Sequence, residues 1–166
     1  MRAFLISLFL LFSAGGLTAQ EANVGFGTVQ ADPDAPVEVT AEQLNVSQEN
    51  GDAIFTGNVV VGQGEMRLNA PKVRIIYDEQ DGSVSRMEAT GGVTLVSGAE
   101  AAEAERADYN VGSGIIVMTG SVLLTQGKNA LTSDRMEVDL NDNTARMTGR
   151  VKTVLYQGDT TNEQQN

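Results

Sequence analysis

The chain has 166 residues and a formal net charge of −11, with 22 acidic against 11 basic side chains and no His, Cys or Trp. That balance argues against nucleic acid, which needs a basic footprint. The missing His and Cys exclude Ser-His-Asp and Cys-His nucleophile systems, most zinc sites and any disulfide framework.

In chain order, residues 1–19 read as a secretory signal. Arg2 gives the positive start, Phe4 to Phe12 is apolar but for Ser7, and Ser13-Ala14-Gly15-Gly16-Leu17-Thr18-Ala19 is a small-residue exit with cleavage after about Ala19. The strongly apolar run falls short of the ~20 residues a spanning helix needs. Residues 20–36 read as a flexible linker, because Asp32, Pro33, Asp34 and Pro36 disfavour regular structure. The folded domain is expected at 37–156, followed by a polar tail at 157–166.

Inside that domain one phrase recurs four times: Phe55-Thr56-Gly57-Asn58-Val59, Ala89-Thr90-Gly91-Gly92-Val93, Met118-Thr119-Gly120-Ser121-Val122 and Met147-Thr148-Gly149-Arg150-Val151. The glycines fall 34, 29 and 29 residues apart, a spacing that marks stacked repeats. A second element lies upstream of each. Ala41-Glu42-Gln43-Leu44, Ala104-Glu105-Arg106-Ala107 and Ser133-Asp134-Arg135-Met136 begin 16 residues before their glycine, and Ala70-Pro71-Lys72-Val73 begins 21 before. Turn signals at Glu49-Asn50-Gly51, Asp81-Gly82, Gly112-Ser113-Gly114 and Asn141-Asp142-Asn143 make each unit strand, turn, strand.

Side-chain alternation assigns the faces. Phe55, Val59 and Val61 share the inner face of the first unit. Met87, Val93 and Leu95 follow in the second, Met118, Val122 and Leu124 in the third, and Met147 and Val151 in the fourth. The strand before each turn switches parity, as from Ala70 to Val73 and from Ser133 to Met136, which implies a bulge or corner at the same place in successive units. The Thr-Gly-x-Val glycine suits the matching bend of its partner strand. The expected fold is therefore all-β: an open, folded-over antiparallel sheet, V-shaped or jelly-roll-like in section, apolar within. Its inner face is either a closed core or a groove for an apolar ligand, and the five methionines Met66, Met87, Met118, Met136 and Met147 give it an adaptable lining.

An open sheet leaves an unpaired edge at each end, here near Val37, Val39 and Ala41 and near Met147, Val151 and Leu155. Such edges template head-to-tail pairing, unless the linker, the tail and edge charges such as Glu38, Arg146, Arg150 and Lys152 block them. Carboxylate pairs such as Glu103 with Glu105 or Asp139 with Asp142 are expected by chance among 22 acids and point to solvent on alternating strands. The acidic run Glu100-Glu103-Glu105-Asp108 reads as solvated surface in preference to a calcium site. No catalytic residue, metal ligand or cofactor is assigned.

The exported start, the opening Val37-Glu38-Val39-Thr40-Ala41-Glu42-Gln43-Leu44, the Phe55-Thr56-Gly57-Asn58-Val59 phrase and its in-register recurrences resemble the LptA/OstA family of Gram-negative bacteria over roughly residues 37–155. The resemblance implies a half-jelly-roll and a non-enzymatic periplasmic protein that carries lipopolysaccharide from inner to outer membrane, acyl chains in the apolar groove. It implies an inner-membrane partner of the same fold at the N-terminal edge and an outer-membrane translocon N-terminal domain at the C-terminal edge, with head-to-tail self-association open. The chain departs from some homologues in ending soon after the fourth phrase, without a basic tail. The alternative is a structural repeat protein that assembles through its edges over a filled interior.

Overall fold

A computed structural model describes residues 22–25, 35–47 and 51–156. The expected signal segment at 1–19 and tail at 157–166 lie outside the described residues. Among the described residues there are eleven strands: β1 (Ala22–Gly25), β2 (Val37–Thr40), β3 (Gln43–Val46), β4 (Ala53–Gln63), β5 (Met66–Tyr77), β6 (Val84–Ser97), β7 (Glu100–Asn110), β8 (Ile115–Gln126), β9 (Asn129–Asp139), β10 (Thr144–Thr148) and β11 (Lys152–Val154). They form one antiparallel sheet in the order β1-β10-β9-β8-β7-β6-β5-β4-β2, with β3 also on β4 and β11 also on β9.

Local chemistry fixes the turns. Between β5 and β6, Asp78 Oδ1 accepts from the Gln80 N–H and Asp81 Oδ1 from the Ser83 N–H, each at 2.8 Å. Gly82 there takes a φ of +71°, open to glycine at little cost.

The corner lies where the repeated phrase places it. Register shifts by one residue between Thr56 and Val59, Thr90 and Val93, and Thr119 and Val122. The phrase strand therefore carries one extra residue, while its partner changes which parity faces in: Ala70 and then Val73, Ala104 and then Ala107, Ser133 and then Met136 are buried. Both the glycine and the residue after it turn left-handed, as at Gly120 (φ +86°) and Ser121 (φ +49°). A Cβ on Gly57 would lie 2.5 Å from Glu42 Oε2, and one on Gly149 2.7 Å from Asp134 Oδ2. Only a residue without a side chain fits this approach.

Each long strand thus has two limbs, one on either side of the corner, and the limbs fold face to face. The terminal units separate at the corner into β2 with β3 on β4 and β10 with β11 on β9.

The linker expectation for 20–36 is corrected in part. Ala22–Gly25 form β1, antiparallel to β10, with Ala22 opposite Met147 and Gly25 opposite Thr144. Local composition is neutral about these four residues; the unpaired N–H and C=O groups of β10 decide their conformation. The same pairing corrects the edge expectation at Met147, which is fully buried with β1 beside it.

Candidate functional site

The inner face is one continuous apolar core. Of the expected lining residues, Val59, Val61, Met87, Val93, Leu95, Met118, Val122, Leu124 and Met147 are buried, and Phe55 and Val151 are half-buried against the same cluster. The strand before each turn contributes equally through Val73, Ile75, Ala107, Ile116, Met136 and Val138. In this conformation the limbs cover one another: an apolar space between them, lined from both sides by Val61, Met66, Leu68, Val73, Met87 and Tyr109 among others, has a volume of about 10 Å³. That is about the room of one water molecule. A larger depression of about 530 Å³ lies over the corner, lined by Glu42, Asn58, Asn69 and Thr94 together with Val59, Ala70 and Pro71.

Polar contacts join the limbs at the mouth of the V, away from the corner. Tyr109 O–H donates to Gln63 Oε1 at 2.9 Å, with both residues buried. Gln63 Nε2 also donates to the Ala35 carbonyl at 3.2 Å. Burial pushes the Tyr109 phenol above its usual value, against a smaller opposite effect of its bond to Gln63. At the far end Gln126 Nε2 donates to the Gly25 carbonyl at 2.6 Å and to Glu100 Oε1 at 3.0 Å. Parity reasoning over apolar residues passes over these groups. The signal was present, since Gln63 continues the Val59–Val61 alternation and Tyr109 that of Ala107.

The inner face reaches solvent at the two ends of the sheet. At the N-terminal end Leu44 lies opposite Phe55 and Val46 opposite Ala53, so both continue the inner face, yet they are 54% and 63% exposed. Val37, Val39 and Ala41 are half-buried beside them. At the C-terminal end Val154, Leu155 and Tyr156 are exposed. The expected edge residues Val37, Val39 and Leu155 therefore flank open ends, Val151 sits in the last corner, and Met147 lies beneath β1.

The outer face is charged and paired. Arg74 bridges Asp52 and Glu88, and Arg86 bridges Glu88 and Asp108. Bonds to Asp52 and to Asp108 respectively raise the two guanidinium groups above their ordinary value. Arg150 pairs with Asp134 across the last corner at 2.6 Å and holds that carboxyl below the usual range. Among the described residues no cluster of three His, Cys, Asp or Glu side chains could hold a metal ion.

The family described as LptA/(LptD N-terminal domain) LPS transport protein matches residues 38–144. An uncharacterized protein of Rhizobium meliloti is 31% identical over 112 residues, 63% of this chain and 60% of that protein. The lipopolysaccharide export system protein LptA of Escherichia coli K12 is 35% identical over 52 residues, 31% of this chain and 28% of LptA. The chain therefore spans under two thirds of the length of either relative. The crystal structure of LptH, the LptA-homologous periplasmic component of the lipopolysaccharide transport device of Pseudomonas aeruginosa, superposes with a TM-score of 0.68 at 17% identity, covering 76% of this chain and 99% of LptH. That likeness shows the fold.

Proposed function

We propose, for a chain that belongs to the LptA/LptD N-terminal-domain family of LPS transport proteins, that it is a periplasmic bridge module that carries lipopolysaccharide with the acyl chains between its two limbs. The observation that carries the reading is the apolar inner face running through all four repeats and emerging at both ends beside strands that, among the described residues, pair on one side. A methylene is worth ~0.8 kcal/mol on burial, so leaving an acyl chain of about 12 carbons in water costs roughly 10 kcal/mol. A continuous apolar path keeps that cost nearly constant as the lipid advances. The chemistry required of the protein is burial alone.

Loading requires the limbs to part, because the space between them now holds about one water molecule. The fold suits this motion. The limbs are joined along one corner, and their facing surfaces meet through aliphatic and methionine side chains that repack readily. The Tyr109–Gln63 bond sits at the mouth, where opening begins. The N-terminal edge, with β2 and β3 unpaired on their outer side, fits an inner-membrane partner of the same fold. The C-terminal edge fits an outer-membrane translocon domain or a second copy.

The test is photocrosslinking in cells with the crosslinker at Val151, which packs on the core, or at Lys152, which is exposed. Lipopolysaccharide captured at Val151 and not at Lys152 is the expected result. Capture at neither site by a folded protein would move the assignment to a structural repeat with a filled interior.

A further inference from the structure

The strand β1 repeats β3 in sequence and in register, on the opposite edge of the equivalent strand. Around Gly57, Leu44 lies opposite Phe55 and Val46 opposite Ala53. Around Gly149, Ala22 lies opposite Met147 and Val24 opposite Ala145. Phe55 and Met147 each precede their corner glycine by two residues, and Ala53 and Ala145 by four. Thus Ala22-Asn23-Val24 holds the register on β10 that Leu44-Asn45-Val46 holds on β4, with Asn-Val in common, and both strands run antiparallel to their neighbour. Val24 packs against the core, Asn23 Oδ1 accepts from Arg146 Nε at 3.3 Å, and Gln126 holds the Gly25 carbonyl.

We infer that β1 is a built-in cap on the C-terminal edge, standing where β3 of a second copy of this chain adds to the sheet, and that it must leave β10 before that copy docks. This rests on the reading of the C-terminal edge as an assembly edge. The open occupant is β3 itself: its inner-facing Leu44 and Val46 are more than half exposed at the other end of the molecule, and on β10 they would replace the smaller Ala22 and the equivalent Val24. The cap is built to be displaced. It is four residues long, it offers one sizeable apolar side chain, and apart from the Asn23–Arg146 and Gln126–Gly25 bonds its hold is backbone pairing that any strand of the same direction reproduces. A short edge strand of this kind also blunts the edge against indiscriminate pairing.

The chain has no cysteine, so Asn23→Cys with Arg146→Cys, a directly opposed pair on the outer face, makes a clean redox lock. Self-association of the purified exported chain is read by sedimentation equilibrium without lipid, for wild type, the locked variant oxidised and reduced, and a chain lacking residues 22–25. The oxidised variant is expected to stay monomeric across the concentration range, and its reduced form to return to wild-type behaviour. The deletion is expected to associate at least tenfold more tightly than wild type. Equal association of the oxidised and reduced forms, or an unchanged association constant on deletion, overturns the cap. Should the deletion not fold, the oxidised-against-reduced comparison decides alone. Lipid capture at Val151 is scored separately, so failure of the cap and failure of the lipid reading are distinguishable.

Discussion

Replacing Gly120 by alanine isolates what the corner demands of its residue. Two effects add there. The backbone has a φ of +86°, where an L side chain costs about 1–2 kcal/mol. The new Cβ would also lie 2.7 Å from Glu105 Cδ and 2.8 Å from Glu105 Cβ. The second atom cannot swing away as a side-chain end can, so the strands must separate, an overpacking cost of about 1–3 kcal/mol. Gly92→Ala supplies the control: its φ is +95°, but no atom lies within 4 Å of the added Cβ, so the backbone cost acts alone. The expected loss is about 2–5 kcal/mol for Gly120→Ala and about 1–2 kcal/mol for Gly92→Ala. Urea midpoints resolve the two, with a slope of about 1–3 kcal/mol per molar for small proteins. Adding Glu105→Gly to Gly120→Ala should recover the steric part, and adding Glu105→Ala should not, because its Cβ remains. Equal midpoints for Gly120→Ala and Gly92→Ala would refute the close-approach account of the corner.

Three further outcomes follow from the packing. Met118→Ala removes a side chain with no exposed surface and should cost about 2–5 kcal/mol, whereas Thr119→Ala on the outer face should stay within about 0.5–1 kcal/mol; chemical denaturation measures both. Tyr109 is held neutral by burial above its ordinary value of 10.0, so the unfolded chain sheds that proton first. Its contribution is complete below about pH 10 and is lost as pH rises through the folded value, and Tyr109→Phe should flatten that part of a pH series of urea midpoints. Asp134 is shifted the other way by its hydrogen bonds to Arg150; its contribution is present above the ordinary carboxylate value of 3.8 and lost as pH falls, and Arg150→Ala should abolish that acid-side slope.

Much of this molecule was legible in one dimension because its architecture repeats. The Thr-Gly-x-Val phrase fixes a corner, the parity change opposite it fixes the second strand of that corner, and period-2 alternation then assigns the apolar side chains of the phrase strands from Phe55 to Met147 to the inner face. These are local constraints: a backbone conformation that favours glycine, and a pleat whose faces alternate. Val59, Met87, Leu124 and Met147 could be placed inside from them before any contact was known. Three things required the folded sheet. The limbs close on one another, since apolar faces at two ends of the same strands have no better cover than each other. Tyr109 meets Gln63 across 46 positions of sequence, a pairing set by the corner angle and the stagger of four strands. Ala22–Gly25 become a strand only because β10, far along the chain, presents an unpaired edge. Propensity and alternation are properties of neighbouring residues; edge pairing and the meeting of limbs depend on where the whole sheet puts them.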